Sequence, residues 1–232
     1  MLRRFRIPLI VVGILLLLLA GGGVWFWLAV RHVPHFYVDA LAVDPVQQKQ
    51  ASYKMVRRTA ALSNDARKEG HWEAVFTADQ INGWLAVDRE ENYPQLIPHE
   101  FHDPRVAIHD GQIIIGCRYE GRQMDTVLSL TADVYLQLPN VLALRIQRAR
   151  AGAVPLPLKD VTSQLVAACE KLGCTVDLRE VGADPLLLLT LPLPSNSGRD
   201  GTIRVETVEL REGEIHVAGQ TVRPGHTRQV AP

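Results

Sequence analysis

Apolar and polar residues follow three patterns along this chain. An uninterrupted apolar run, Ile7 to Val30, spans 24 residues without a charged side chain. Apolar positions three to four residues apart, typical of amphipathic helices, recur in residues 45–69, 78–87 and 158–172. Most of the remaining chain from Arg105 alternates apolar and polar residues, as strands with one buried face do. The three patterns together predict an α+β domain behind an apolar N-terminal helix.

The apolar run is long enough to cross a membrane. At about 1.5 Å per residue it reaches roughly 36 Å, whereas a bilayer core is about 30 Å thick. Trp25 and Trp27 suit the membrane interface. A cleaved signal peptide, cut near Ala20–Gly23, and a buried core helix are the alternatives. We favour a retained anchor because the run stays apolar beyond the small residues.

The charges beside the run predict its orientation. Arg3, Arg4 and Arg6 precede it, so the positive-inside rule predicts a cytoplasmic N-terminus and an extracytoplasmic domain, in an inner or plasma membrane. The chain is then predicted to comprise a cytoplasmic N-terminus (1–6), a transmembrane anchor (7–30), a juxtamembrane connector and helix (31–71), a folded extracytoplasmic domain (72–222) and a disordered tail (223–232).

Helix-start signals place two helices before the sheet. Asp44-Pro45 predicts a cap and first turn for a helix ending near Glu69, where Gly70 is a suitable stop. Thr77 and Gln80 form a capping-box pattern that predicts a second helix ending near residues 87–89. Asn82 lies off its apolar stripe, and we interpret it as making local hydrogen bonds. Residues 88–104, broken by prolines, predict a polar loop.

The longest alternation predicts one unusually long strand, Met124 to Leu138, with Thr126 as the single polar residue on its apolar parity. Asp110-Gly111 predicts a hairpin, and the Leu186–Leu191 run predicts a strand covered on both faces. A slip of parity near Thr207 predicts a bulge. The fold class we expect is α+β: a long curved antiparallel sheet of six to eight strands packed with two or three helices, plus the transmembrane helix.

Composition limits the chemistry. The chain has 25 basic and 25 acidic side chains, of which three arginines precede the anchor, so a near-neutral domain is a poor candidate for nucleic acid. Cys117 is expected to be a buried thiol. Cys169 and Cys174 are either free thiols, which we favour, or a pair across a helix end. Residues 99–103 (His-Glu-Phe-His-Asp) are interpreted as a polar loop rather than a metal site, since the zinc-protease spacing is missing. No cofactor is predicted. Two interpretations remain open for Arg145, Arg148 and Arg150: they are solvated arginines, or they form an anion site.

Two short motifs carry a family resemblance over residues 72–180. The T-x-x-Q-I-N-x-W-L helix start at Thr77–Leu85 and the G-x-V-P-L-P turn at Gly152–Pro157, behind a single anchor, resemble the YpmS-like bacterial membrane-anchored proteins. More loosely, the chain is similar to tubular lipid-binding (TULIP-type) domains and to the LmeA-like envelope proteins. The resemblance implies long curved strands that wrap a helix around an apolar groove able to take an acyl chain. It implies no catalytic residue.

The expected function is therefore non-enzymatic binding of a lipid or another apolar ligand in the cell envelope. Alternatives are a scaffold that binds a protein partner without a ligand cavity, and an extracytoplasmic hydrolase that would use His99, His102 or Cys117. An apolar strand face is also compatible with a closed core. The candidate groove residues lie on the long strands and on two helices expected to face them: Ile81, Trp84, Leu128, Leu130, Val134, Leu136, Leu144, Ile146, Leu165 and Leu172.

Overall fold

A computed structural model of the protein describes residues 3–121, 125–171, 173–182, 184–191 and 202–223, with the helical backbone but not the side chains of residues 3–16. The helices are α1 (Arg3–Val30), α2 (His35–Leu41), α3 (Pro45–Asp65), α4 (Ala78–Ala86), α5 (Asp88–Asn92) and α6 (Leu158–Lys171). The strands are β1 (Gly70–Thr77), β2 (Phe101–His109), β3 (Gln112–Glu120), β4 (Asp125–Leu138), β5 (Val141–Ala151), β6 (Val154–Pro155), β7 (Thr175–Val181), β8 (Asp184–Thr190), β9 (Thr202–Arg211) and β10 (Glu214–Val222). Met124, Leu172 and the predicted tail beyond Arg223 lie outside the described residues.

The strands form two antiparallel sheets, which confirms the α+β class. The large sheet has the order β2-β3-β4-β5-β8-β7, with β6 paired to β5, and its seven strands fall within the predicted six to eight. The sequence did not predict the second sheet, β1-β10-β9, in which β1 pairs with β10 from Gly70↔Thr221 to Thr77↔Glu214. Alternation reveals which side chains share a face, but the pairing partner of a strand depends on distant parts of the chain.

Strand β4 is the centre of the large sheet. It runs for 14 residues between β3 and β5, as its alternation predicts, and a strand of that length spans roughly 46 Å. Its two faces differ. On one face Val134 lies opposite Leu144, which in turn lies opposite Leu187 of β8. On the other face Ser129 and Thr131 lie opposite Arg150 and Arg148 of β5.

The two sheets are joined at their turns. The Asp110-Gly111 hairpin forms as predicted, and the Gly111 N–H donates to the Leu210 carbonyl of β9. At the next turn Asn140, with a positive φ of 66°, donates its Nδ2–H to the Ile203 carbonyl, and its Oδ1 accepts from the Val205 N–H. The bulge predicted near Thr207 is confirmed, since β9 shifts register between Thr207 and Val205 against Ala218 and Gly219.

Helix α4 begins with the predicted capping box. The Thr77 hydroxyl accepts from the Gln80 N–H at 3.2 Å, and the Gln80 side chain accepts from the Thr77 N–H. The local role expected for Asn82 is wrong. Its amide donates to the Val106 carbonyl and accepts from the Val106 N–H, at 2.9 and 2.7 Å. Asn82 therefore satisfies both backbone groups of one residue on β2, an edge strand, and blocks that edge from further pairing.

Other boundaries also differ from the prediction. Helix α3 starts at Pro45, with Asp44 as its cap, but ends at Asp65 rather than near Glu69. Part of the region predicted as a polar loop is ordered as α5, a single 3-10 turn at Pro94–Leu96, and the start of β2 at Phe101. Three acidic residues in the first turn of α5 suit the positive end of a helix. The loop prediction rested on the prolines and did not take these acidic residues into account. Besides α1, which contacts β6, four helices of the described residues (α2, α3, α4 and α6) contact strands, where two or three were expected.

Gly83 packs α4 against α3, and its replacement by alanine is expected to destabilise the fold. Inside a helix Gly→Ala ordinarily stabilises by about 1 kcal/mol. Here the new Cβ lies 2.7 Å from the Gln48 carbonyl oxygen and from the Ser52 nitrogen of α3, and such overpacking costs about 1–3 kcal/mol. Denaturant unfolding of the full chain in detergent measures the change. Ser63→Ala, exposed on α3, is the control, and an unchanged or higher stability for Gly83→Ala would contradict the close contact.

Candidate functional site

The N-terminal helix exposes apolar side chains until it reaches the domain. Residues 17–28 are exposed, Trp25 by 69%, whereas Val30 is only 5% exposed. The side chains of α1 are described from Leu17 onwards. Among the residues whose side chains are described, no single helix is long and apolar enough to span a bilayer. The pair Leu17–Val30 and His35–Leu41, bent by 41°, meets the criteria of length and composition, as signal sequences also do. The segment is therefore a candidate membrane anchor or signal sequence.

The C-terminal end of α1 is held by the large sheet. A helix leaves its last carbonyls without partners. Here the Ala29 carbonyl accepts from the Ala153 N–H at 2.7 Å, and the Val30 carbonyl accepts from the buried Thr126 hydroxyl at 2.6 Å. Gly152, at a φ of +59°, lies directly against these carbonyls and leaves no space for a Cβ. Thr126, the single polar residue on the apolar parity of β4, thus satisfies the helix end.

We name the candidate groove residues of β4 and β5 the apolar track: Leu128, Leu130, Val134, Leu136, Leu144 and Ile146. All of them except Ile146 are half-buried; Ile146 is 1% exposed. Across the sheet the track continues to Ile115 of β3, which pairs with Leu130 and is 39% exposed. The track is neither a filled core nor a fully solvated surface. Its first residue, Leu128, pairs with Ala151, beside the end of α1.

The helices expected to face the track lie on different parts of the large sheet. Helix α4, with half-buried Ile81 and Trp84, packs on β2 and α3, and the Trp84 ring lies 6.1 Å from that of Tyr93. Helix α6, with half-buried Leu165, packs on β5, β7 and β8. The structure therefore brings the strand residues of the predicted site together, and places Ile81 and Trp84 near the β2 edge of the sheet. Leu172 lies outside the described residues.

A small pocket, which we name the arginine pocket, lies on the polar face of the sheet beside the end of α1. Its volume is about 160 Å³, and it is lined by His32, Pro34, Phe36, Ile114, Ser129, Thr131, Arg148, Arg150 and Gly152. Nearby, the Arg31 guanidinium lies 4.0 Å from the centre of the Trp27 ring. Basic and hydroxyl side chains of this kind bind anions.

A larger polar groove of about 780 Å³ is lined by residues of α2, α3, α4 and β2, beside the contact of α3 with α4, and the sequence did not predict it. Gln47, Gln48 and Lys54 contribute to one wall, and Asn82 and Arg105 to the other. Arg105 is 4% exposed, and its Nη1–H donates to the Pro104 carbonyl at 2.8 Å. Its Nε–H has no partner among the described residues, and burial lowers the pKa of this guanidinium from its ordinary value.

The residues considered for metal binding or catalysis are dispersed. His99 lies 3.6 Å from Glu100, and His102 lies 3.6 Å from Glu120. Across the part of the chain that the structure describes, no three His, Cys, Asp or Glu side chains converge as a metal site requires. All three cysteines are free thiols, and burial raises the pKa of Cys117 to about 11. At neutral pH this thiol is protonated, which makes it a poor nucleophile.

The chain matches no protein-family model, no curated protein and no solved structure at a significant level. The resemblance to YpmS-like and TULIP-type proteins accordingly stays a prediction.

Gly152→Ala is expected to separate α1 from the sheet. The new Cβ would lie 2.3 Å from the Val30 carbonyl oxygen, and the left-handed φ adds about 1–2 kcal/mol. Gly213→Ala is the matched control, because Gly213 has a φ of +77° with no atom within 4 Å of a Cβ. Trypsin cleavage after Arg31 in the full chain measures the separation. Faster cleavage in Gly152→Ala than in Gly213→Ala is expected; equal rates would contradict the contact.

Proposed function

We propose that this protein is a single-pass membrane protein whose extracytoplasmic domain binds the acyl chain of a lipid along the apolar track, without catalysis. The observation that supports this most directly is the contact between the end of α1 and the strands that carry the track. Because Thr126 and Ala153 hold the last carbonyls of α1, one end of the track lies where the chain leaves the bilayer. A lipid would then enter the track from the membrane surface.

The dimensions and burial of the track fit an acyl chain. From Leu128 to Leu136, eight residue steps at about 3.3 Å give an apolar strip of roughly 26 Å. The half-buried side chains leave apolar surface for a ligand to cover, and each buried CH₂ contributes about 0.8 kcal/mol. Beyond the track, Leu178 of β7 extends the same row through Leu187 and is half exposed. An acyl chain is thus a better occupant than a polar ligand.

The orientation follows from the N-terminal charges. Three arginines precede the apolar run, and Arg31 is the single Lys or Arg among the seventeen residues that follow it. The positive-inside rule then favours a cytoplasmic N-terminus.

The absence of a catalytic step is supported by Cys117, which lies on the same parity as the track. Its raised pKa keeps the thiol protonated.

A scaffold without a ligand is the second candidate function, favoured by the surface of α3. Tyr53 is 65% exposed on this helix, and Val46 and Val56 are also exposed. Exposed aromatic and aliphatic side chains on a helix are typical of surfaces that bind a protein partner. This candidate predicts that the full chain carries no lipid in the track.

Val134→Glu and Val134→Trp are expected to lower lipid retention. An uncompensated carboxylate in an apolar site costs several kcal/mol, and about 1.4 kcal/mol corresponds to a tenfold change, so retention falls by roughly tenfold or more. The added bulk of tryptophan blocks the track sterically. Native mass spectrometry of the full chain, released from detergent, counts the retained lipid, and uptake of a fluorescent fatty acid provides a second readout.

The same substitutions at Tyr135 are the controls, because Tyr135 is exposed on the opposite face of the same strand. The Tyr135 variants should retain lipid as the unaltered protein does. If the unaltered protein carries no lipid and takes up no fatty acid, the acyl-chain proposal fails and the scaffold takes its place. If lipid is retained equally in Val134→Glu and Tyr135→Glu, the ligand lies elsewhere.

A further inference from the structure

We propose that the arginine pocket binds the phosphate group of an anionic phospholipid in the bilayer, and so fixes how the domain sits on the membrane. This inference rests on the membrane-anchored part of the proposed function. It concerns a second site, since the pocket and the apolar track lie on opposite faces of the large sheet.

The register of the strands builds the pocket from side chains on one face. Ser129 lies opposite Arg150, and Thr131 lies opposite Arg148, so two hydroxyls and two guanidinium groups form adjacent rows. All four line the same cavity. Two residues apart on one strand, the arginines are separated by about 7 Å, which lets both reach one phosphate. Charge-assisted hydrogen bonds from arginine to phosphate are among the stronger polar contacts in proteins.

The two arginines of the pocket are exposed, and no carboxylate of the described residues neutralises them. Among the described residues, neither Arg148 nor Arg150 makes an ion pair or a side-chain hydrogen bond, and no carboxylate lines the cavity. Arg145 on the same strand differs, because it binds Asp184 at 2.6 and 2.9 Å. Four groups that bind phosphate through positive charge or hydroxyl donors therefore face one small cavity with no internal anion.

The position of the pocket selects a lipid as the source of the phosphate. His32 and Gly152 contribute to its wall, and Gly152 lies against the final carbonyls of α1. The cavity thus lies at the level where α1 leaves the bilayer, which is the level of the headgroups. Trp27, in the last turn of α1, contacts the Arg31 guanidinium with the face of its ring. Tryptophan at the end of a membrane helix is typical of the interface between bilayer and water.

The test uses the full chain in nanodiscs of phosphatidylcholine and phosphatidylglycerol with matched acyl chains. Native mass spectrometry of the protein released with its lipids gives the enrichment of phosphatidylglycerol over its share in the disc. Arg148→Gln/Arg150→Gln should remove the enrichment, by roughly tenfold or more, since each basic group near an anionic membrane contributes measurably. Arg204→Gln/Arg211→Gln removes two charges from β9 of the small sheet and should keep it.

Each outcome decides the proposal. Enrichment in the unaltered protein and in the β9 control, with loss in Arg148→Gln/Arg150→Gln, supports it. Equal enrichment in both double variants, or none in the unaltered protein, overturns it. Loss of enrichment on adding millimolar inorganic phosphate or glycerol phosphate would assign the pocket to a soluble phosphate and overturn the lipid assignment.

Failure of this inference can be told from failure of the proposed function. The acyl-chain track is read by fatty-acid uptake and by Val134→Glu, on the other face of the sheet. If uptake persists while headgroup enrichment is missing, the track stands and the arginine pocket does not bind lipid phosphate. If headgroup enrichment persists while fatty-acid uptake is missing, the arginine pocket binds lipid phosphate and the apolar track does not bind an acyl chain.

Discussion

The end of α1 imposes the constraint on which the domain's position depends. The last carbonyls of a helix need hydrogen-bond donors, and where an apolar helix leaves a bilayer, water or the folded domain must supply them. In this protein the domain supplies two, the Thr126 hydroxyl and the Ala153 N–H, and Gly152 allows the backbones to approach. A flexible linker is therefore replaced by a fixed joint.

The joint determines which part of each strand lies near the end of α1. Both β4 and β5 have one end at α1, so the pair Leu128–Ala151 lies near α1 and the Asn140 turn lies at the opposite end of the strands. Helix α2 reinforces this arrangement, because its Phe36 and Tyr37 rings occupy the space above Gly116 where a Cβ would otherwise point. The Tyr37 hydroxyl donates to the Asp103 carbonyl at 2.9 Å.

The sequence predicted features that depend on neighbouring residues. The long alternation of β4, the Asp110-Gly111 hairpin and the Thr77–Gln80 capping box all formed because turns, caps and strand faces are determined locally. That the candidate groove residues of β4 and β5 share one face of the sheet was predictable for the same reason. The roles of Asn82 and Thr126 were not, since each binds a backbone group far away in the chain. For Thr126 the available signal was a polar residue on an apolar parity, whereas Asn82, which lies off the apolar stripe of its helix, offered none.

The position of α4 and α6 was equally beyond local patterns. An amphipathic stripe shows that a helix is buried on one side, but not which surface buries it. Helix α4, which carries Ile81 and Trp84, packs against α3 and β2, because Gly83 allows a close approach to α3. The polar groove around Arg105 follows from that packing, and no periodicity in the sequence reports a space between two helices and a strand edge.

The polar face of the large sheet changes in character from one end to the other. Towards the Asn140 turn it carries a buried apolar cluster of Ala143, Leu186 and Leu188. In the middle its polar groups satisfy one another, since Asp133 accepts from Gln112 and Gln147. Near α1 that internal pairing stops, although Ser129, Arg148 and Arg150 crowd one cavity. Arg148 and Arg150 are exposed and make no ion pair among the described residues, so their guanidinium groups are available to an anion from outside the chain, at the end of the sheet nearest α1.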